Sequence, residues 1–166
     1  MKQHRSAKLG FAPVIYLAAS LLLFGITSAA WAGGAEEVAA IGQQRTAIYE
    51  QGDAETYAAA YADNATFTPS LQPFRVDGKA AIKDYFTTFF QTYPTRHIVG
   101  RQGSNRAYAN DTIVVTDAYL ILTLADKSGN ASVHDLRVST TWVKMGSEWK
   151  IVDQHVSPMP IPEAGH

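Results

Sequence analysis

An α+β fold is predicted from two observations along the chain. Helical periodicity is confined to its first part, and after Pro94 the pattern changes to strands separated by hairpin-type turns. From Ala35 to Gln51, Val38, Ile41, Ile48 and Tyr49 share one helical stripe, and Gly52 supplies a stop. Arg45 lies inside that stripe, where a long side chain is expected to run to the rim and keep its charge in water. Asp53 is a good N-cap for a short helix over Ala54 to Tyr61, and an extended segment follows from Asn64 to Pro69. After the Asp77-Gly78 turn, Lys79 to Gln91 reads as a third helix. Its Ile82, Tyr85, Phe86, Phe89 and Phe90 form an aromatic stripe expected to cover a curved sheet as core. Strands are expected over Thr95 to Arg101, Arg106 to Ala109, Ile113 to Leu124, Ala131 to Lys144 and Glu148 to Val156. Asn110-Asp111, Ser128-Gly129-Asn130 and Gly146-Ser147 supply the turns. Helices followed by a meander predict an antiparallel sheet.

Residues 1–32 have the parts of a secretory signal peptide: Lys2, Arg5 and Lys8, an apolar run from Leu9 to Ile26, and the small-residue site Ala30-Trp31-Ala32. Cleavage after Ala32 leaves residues 33–166 as one domain, periplasmic or secreted. The whole chain carries a net charge of −1, and losing a basic leader makes the remainder more acidic. Neither nucleic acid nor an anionic membrane is therefore an expected partner. The absence of cysteine excludes disulfides, thiol catalysis and thiolate metal sites. Asn64, Asn110 and Asn130 each open a glycosylation acceptor triplet, a pattern that arises often by chance.

Ionisable and hydroxyl groups recur at even spacing on the later strands, and even spacing on a strand means one face. Asp117 and Tyr119 share a face with Ile113, Val115 and Ile121. Asp135, Arg137, Ser139 and Thr141 share another, and His155 and Ser157 share a third with Trp149, Ile151 and Asp153. If these faces line the concave side of one sheet, Arg137, His155, Ser157, Tyr119 and Asp117 converge in an otherwise apolar cavity, a composition typical of a small-molecule site. Arg137 could hold a carboxylate, and His155 could bind the same group or move a proton. The plainer alternative pairs Arg137 with Asp117 and ties His155 to Tyr119 or Ser157 as a polar core network. The even-numbered face of the strand, with His134, Leu136, Val138 and Trp142, is expected to meet a partner subunit or a helix. A Ser157-His155-Asp117 hydrolase lacks a nucleophile elbow. A metal site from His134, Asp135 and His155 has too few ligands on one side of a strand, so neither metal nor cofactor is expected.

The order of residues resembles the nuclear transport factor 2-like superfamily. The likeness is carried by Gly52-Asp53, Pro69-Ser70, Ile82 with Tyr85-Phe86, Asp117 with Tyr119, and Arg137 with Ser139. It ends in Trp149-Lys150-Ile151-Val152, His155, Ser157, Met159 and Pro160. Within that superfamily the chain is most similar to bacterial relatives of the calmodulin-dependent protein kinase II association domain and to SnoaL-like polyketide cyclases. Relatives often have two adjacent histidines and two adjacent serines at the end, where this chain has Gln154 and Val156, and many carry Trp where it has Arg45. The resemblance implies a cone-shaped α+β barrel whose N-terminal helices close over a strongly bent antiparallel sheet. It also implies a homodimer or larger assembly through the outer face of that sheet. Three functions follow: a protein that binds a small anionic or aromatic ligand, an isomerase or cyclase using a pocket carboxylate as general base, or an association module. Pairing of Asp117 with Arg137 would lower the basicity of the one good candidate base, which favours binding.

Overall fold

The computed structural model describes residues 33–160; the expected signal peptide and its cleavage site lie outside the described residues. Helix α1 spans Gly34–Gln51, α2 Ala54–Ala58 and α3 Lys79–Thr92. The strands are β1 Tyr61–Thr68, β2 Val76–Asp77, β3 Thr95–Tyr108, β4 Ile113–Ala125, β5 Ala131–Met145 and β6 Glu148–Pro158. They form one curved, unclosed six-stranded sheet in the order β2-β1-β6-β5-β4-β3.

The caps follow the sequence signals. Gly52 ends α1 in the left-handed region at φ 80°, its N–H donating to the Ile48 and Tyr49 carbonyls, and the Asp53 carboxylate accepts from the Thr56 N–H to start α2. Three expectations are corrected. The second helix stops at Ala58, because Tyr61 enters the sheet opposite Ile151 and is fully buried there. The two expected strands around Gln102 to Asn105 are one strand, with Gly103 in it. A Cβ on Gly103 would come within 3.1 Å of the Asp117 carbonyl oxygen, so glycine allows the close approach. The sheet is also not purely antiparallel, since β1 runs parallel to β6 while the other neighbours are antiparallel.

Two irregularities bend the sheet. Between Gly100 and Gln102 one residue of β3 is unpaired, and in β6 Val152 is the extra residue, because Trp142 pairs with Ile151 while Thr141 pairs with Asp153. Each bulge sharpens twist and shifts the inward parity of its strand by one residue. In β6 this puts Trp149 and Ile151 inward before the bulge and Gln154 inward after it.

The helices lie over the inward face. Val38 and Tyr49 of α1 and Ile82, Phe86 and Phe90 of α3 are buried against Val114, Leu122, Leu124, Leu136 and Trp142 of the sheet. Aromatic contacts knit this layer, among them Tyr57 with Phe86 at 4.6 Å and Tyr49 with Phe90 at 5.2 Å, both edge-to-face. Such pairs contribute about 0.5–1.5 kcal/mol each beyond burial.

Both ends of α1 are pinned to the sheet. Near its start the Glu37 carboxylate accepts from Lys144 Nζ (2.8 Å) and Trp149 Nε1 (2.6 Å), and these contacts, Lys144 first, hold it below the usual carboxylate range. At its end the buried Arg96 of β3 donates to the Tyr49 and Glu50 carbonyls, each at 3.0 Å, and also to the Phe90 carbonyl (3.2 Å) and that of Tyr93 at the end of α3. One guanidinium thus satisfies carbonyls at the C-termini of two helices. Arg96→Leu is expected to lower unfolding free energy by about 3 kcal/mol or more, because several part-buried carbonyls lose their donor together. Chemical denaturation measures this, and a loss below about 1 kcal/mol would show that the helices are held by packing alone.

Candidate functional site

Between the helices and the inward sheet face lies a cavity of about 510 Å³, within the usual range for small-molecule sites. Its sheet wall consists of Phe67 of β1, Ile98, Gly103 and Asn105 of β3, Thr116, Ala118, Leu120 and Leu122 of β4, Leu136, Val138, Thr140 and Trp142 of β5, and Gln154 and Val156 of β6. Tyr49, Tyr57, Tyr85, Phe86 and Phe89 of the helices form much of the opposite wall, and Pro69, Ser70 and Leu71 also contribute. Burial raises the Tyr49 and Tyr61 hydroxyls far above their usual range and pushes Tyr85 up to about 12, so these rings stay uncharged at neutral pH.

Among the described residues that line this cavity, Arg45 carries the one formal charge. Arg45 is 7% exposed rather than at the rim, which corrects the expectation of a solvated guanidinium. The helix places Ile41, Gly42, Ile48 and Tyr49 one turn away on either side of it, so no carboxylate on its own face can pair with it. Its Nη1 donates to the Tyr57 carbonyl at 2.7 Å, and the guanidinium carbon sits 4.0 Å from the centre of the Tyr57 ring, with Tyr61 and Trp142 further out. Its Nη2 is buried with no hydrogen-bond partner among the described residues. A buried unpaired cation costs several kcal/mol, and one charged hydrogen bond with a cation–π contact of about 2 kcal/mol offsets only part of that.

Among the described residues that line the cavity there is no Asp, Glu, His or Lys. An isomerase- or cyclase-type reaction needs a general base at the reacting carbon. The lining supplies donors and rings but no such base.

The five residues expected to line the cavity do meet, but on the outer face. Cross-strand pairing sets Asp117, Ser139 and His155 in one row and Tyr119, Arg137 and Ser157 in the next, around a depression of about 410 Å³ on the side away from the helices. Asp117 pairs with Arg106 at 2.5 Å, not with Arg137. The placement of Arg137, His155, Ser157, Tyr119 and Asp117 inside the cavity is therefore corrected. Its cause is the Val152 bulge, which separates His155 and Ser157 from the parity of Trp149 and Ile151, together with apolar residues on the outer side of β4 that read like core. The even face of β5, expected to meet a partner subunit or a helix, lies under the helices and walls the cavity. Sequence reasoning missed Arg45 and Trp142. The available signal was an arginine in an apolar helical stripe with no acid three or four residues away.

These features define the nuclear transport factor 2-like class: N-terminal helices packed over a curved, unclosed sheet with a cavity between them. Within that class the chain belongs to the calcium/calmodulin dependent protein kinase II association domain family, whose pattern it matches over residues 34–160. A Xanthomonas campestris structure assigned to that association domain is 26% identical, with a TM-score of 0.68 over 75% of this chain and 86% of the other. A nuclear transport factor 2-like superfamily protein from Salmonella enterica (16% identity, TM-score 0.67, 79% and 94% covered) has the same fold. So does a Novosphingobium aromaticivorans protein named for scytalone dehydratase (12% identity, TM-score 0.66, 75% and 85% covered). Among curated proteins no match was found.

Arg45→Met should leave unfolding free energy at or above that of the parent, since the relieved cost of the buried charge exceeds the lost hydrogen bond and cation–π contact with Tyr57. Denaturant titration reads it. A loss of about 3 kcal/mol or more would mark Arg45 as a structural keystone rather than a binding group.

Proposed function

We propose that this protein is an exported small-molecule-binding protein whose ligand, anionic and carrying an apolar or aromatic body, sits in the cavity beneath the helices. The observation that carries this reading is the single unpaired guanidinium of Arg45 in an aromatic cavity without carboxylates. A stable protein retains such a group where a ligand or partner gains from it, and the absence of a lining base favours capture over turnover. Export rests on the three-part N-terminal segment of residues 1–32.

Gly42 offers a clean test. It lines the cavity, and a Cβ there would meet nothing within 4 Å. Gly42→Phe should fill the cavity without loss of stability, because glycine costs a helix interior roughly 1 kcal/mol. Native mass spectrometry of the parent is expected to reveal a bound small molecule that the variant lacks. Equal occupancy in both would place the ligand elsewhere. N-terminal sequencing of the exported protein should begin near Gly33, and recovery of intact Met1 would defeat the export reading.

Association through the outer sheet face forms a second part of this reading. Val99, Tyr108, Tyr119 and Val133 expose 41–66% of their surface there, around the polar depression of Asp117, Arg137, His155 and Ser157, and the family is that of an association domain. In this reading those residues face a second copy of the chain rather than a ligand. Light scattering should report a dimer or larger at micromolar concentration, consistent with an interface of roughly 1,000 Å² or more. A monomer would count against it.

A further inference from the structure

We infer that the cavity recognises a neutral hydroxyl group on the body of its ligand through Asn105 of β3 and Thr116 of β4; this rests on the binding reading above and adds a point of specificity to it. Among the sheet residues that line the cavity, Asn105, Thr116, Thr140 and Gln154 carry the hydroxyl or amide side chains. Cross-strand pairing sets them in a single transverse row, with Asn105 opposite Thr116, Thr116 opposite Thr140 and Thr140 opposite Gln154. On both sides of this row along β4 and β5 the inward wall returns to apolar residues, Ala118 and Val138 on one side and Val114 and Trp142 on the other.

The two halves of the row differ. On β5 and β6, Thr140 and Gln154 are buried, and the Gln154 amide is used at both ends: Oε1 accepts from the Tyr61 hydroxyl, and Nε2 donates to Thr140 Oγ1 at 3.1 Å. That half is sealed and its amide is satisfied from within. On β3 and β4, Asn105 and Thr116 are half-buried. The bond from Thr116 Oγ1 to Asn105 Oδ1, at 2.8 Å, is the one side-chain hydrogen bond that either makes among the described residues. Thr116 shares the inward side of β4 with Ala118 and Leu120, so its side chain opens to the cavity and not to the outer face.

An amide and a hydroxyl bonded to each other leave a donor and an acceptor side by side. With Thr116 donating, the Asn105 Nδ2 protons and the Thr116 oxygen lone pairs are free; with the amide turned over, Asn105 Oδ1 and the Thr116 proton exchange those roles. The complement is the same in both cases. An ether, ketone or carboxylate supplies acceptors alone, and an ammonium supplies donors alone, so each leaves one member of the pair unsatisfied. A hydroxyl gives and takes at one atom and closes a ring of hydrogen bonds with the pair. Space for it lies alongside, because the next inward pair on these strands is Gly103 opposite Ala118, where the wall has almost no side chain. With the aromatic wall of Tyr85, Phe86 and Phe89 facing the sheet, the ligand class is one whose apolar body carries a phenol or alcohol.

The probes are 1-naphthol, 2-naphthol and 4-phenylphenol, each beside its methyl ether, which keeps the oxygen as acceptor and removes the donor. Binding to the purified protein is measured by equilibrium dialysis. At least one phenol is expected to bind roughly five-fold or more tightly than its ether, as one net hydrogen bond implies. Thr116→Val, which keeps the shape and removes the hydroxyl, should bring that phenol down to its ether and leave the ether unchanged, while Thr116→Ser keeps the preference. Asn105→Ala, on the edge strand, should act as Thr116→Val does. Phenol and ether binding alike in the parent, or a preference that survives Thr116→Val or Asn105→Ala, overturns the hydroxyl assignment while leaving the binding reading in place. No binding of any of the six probes also overturns it, and if the purified protein carries no small molecule by native mass spectrometry the binding reading falls as well.

Discussion

The unpaired charge of Arg45 sets the terms for what surrounds it. An arginine cannot shed its proton to escape burial, so the guanidinium must be accommodated by neighbours or by a ligand. The neighbours are rings and one carbonyl: Tyr57 lends both its face and its backbone oxygen, and Tyr61 and Trp142 stand behind. Tyrosines whose hydroxyls stay protonated contribute no counter-charge. This arrangement leaves a positive charge inside an apolar chamber, the feature on which the proposal of an anionic ligand with an apolar body rests.

The chamber exists because of constraints remote from it. Arg96 gathers the C-termini of α1 and α3, and Glu37 fixes the start of α1 through Lys144 and Trp149. With α1 pinned at both ends, Arg45 near its middle is held over the cavity. Gly42, one turn earlier, leaves the space open. The bulges at Arg101 and Val152 curve the sheet and decide which side chains look inward, so curvature and site chemistry have a common origin.

Local signals made much of this fold legible. The stripe of α3, the caps at Gly52 and Asp53, and the turn residues between the last four strands act over a few residues and could be read directly. Pairing of β1 with β6 could not, because it joins segments some ninety residues apart and leaves no local pattern. The site failed for a sharper reason. Alternation along a strand holds only while the ladder is regular, and one extra residue at Val152 reversed the faces of His155 and Ser157 relative to Trp149 and Ile151. The apolar residues of β4 reinforced the error, since Ile113, Val115 and Ile121 sit on the outer face beside Asp117 and Tyr119. The resemblance to the family identified the architecture, while the charge in this cavity, Arg45, was read as a residue of the rim.

The central claim is that the functional end of this fold is the cavity at Arg45, beneath the helices, rather than the depression at Arg137 on the outer face. A crystal structure with the co-purified ligand bound tests it most directly. The account predicts the ligand within the cavity, its anionic group on the Arg45 side and its apolar body among Tyr57, Phe86 and Phe89. A ligand seated against Arg137 and His155 on the outer face, or one whose anionic group points away from Arg45, would contradict it.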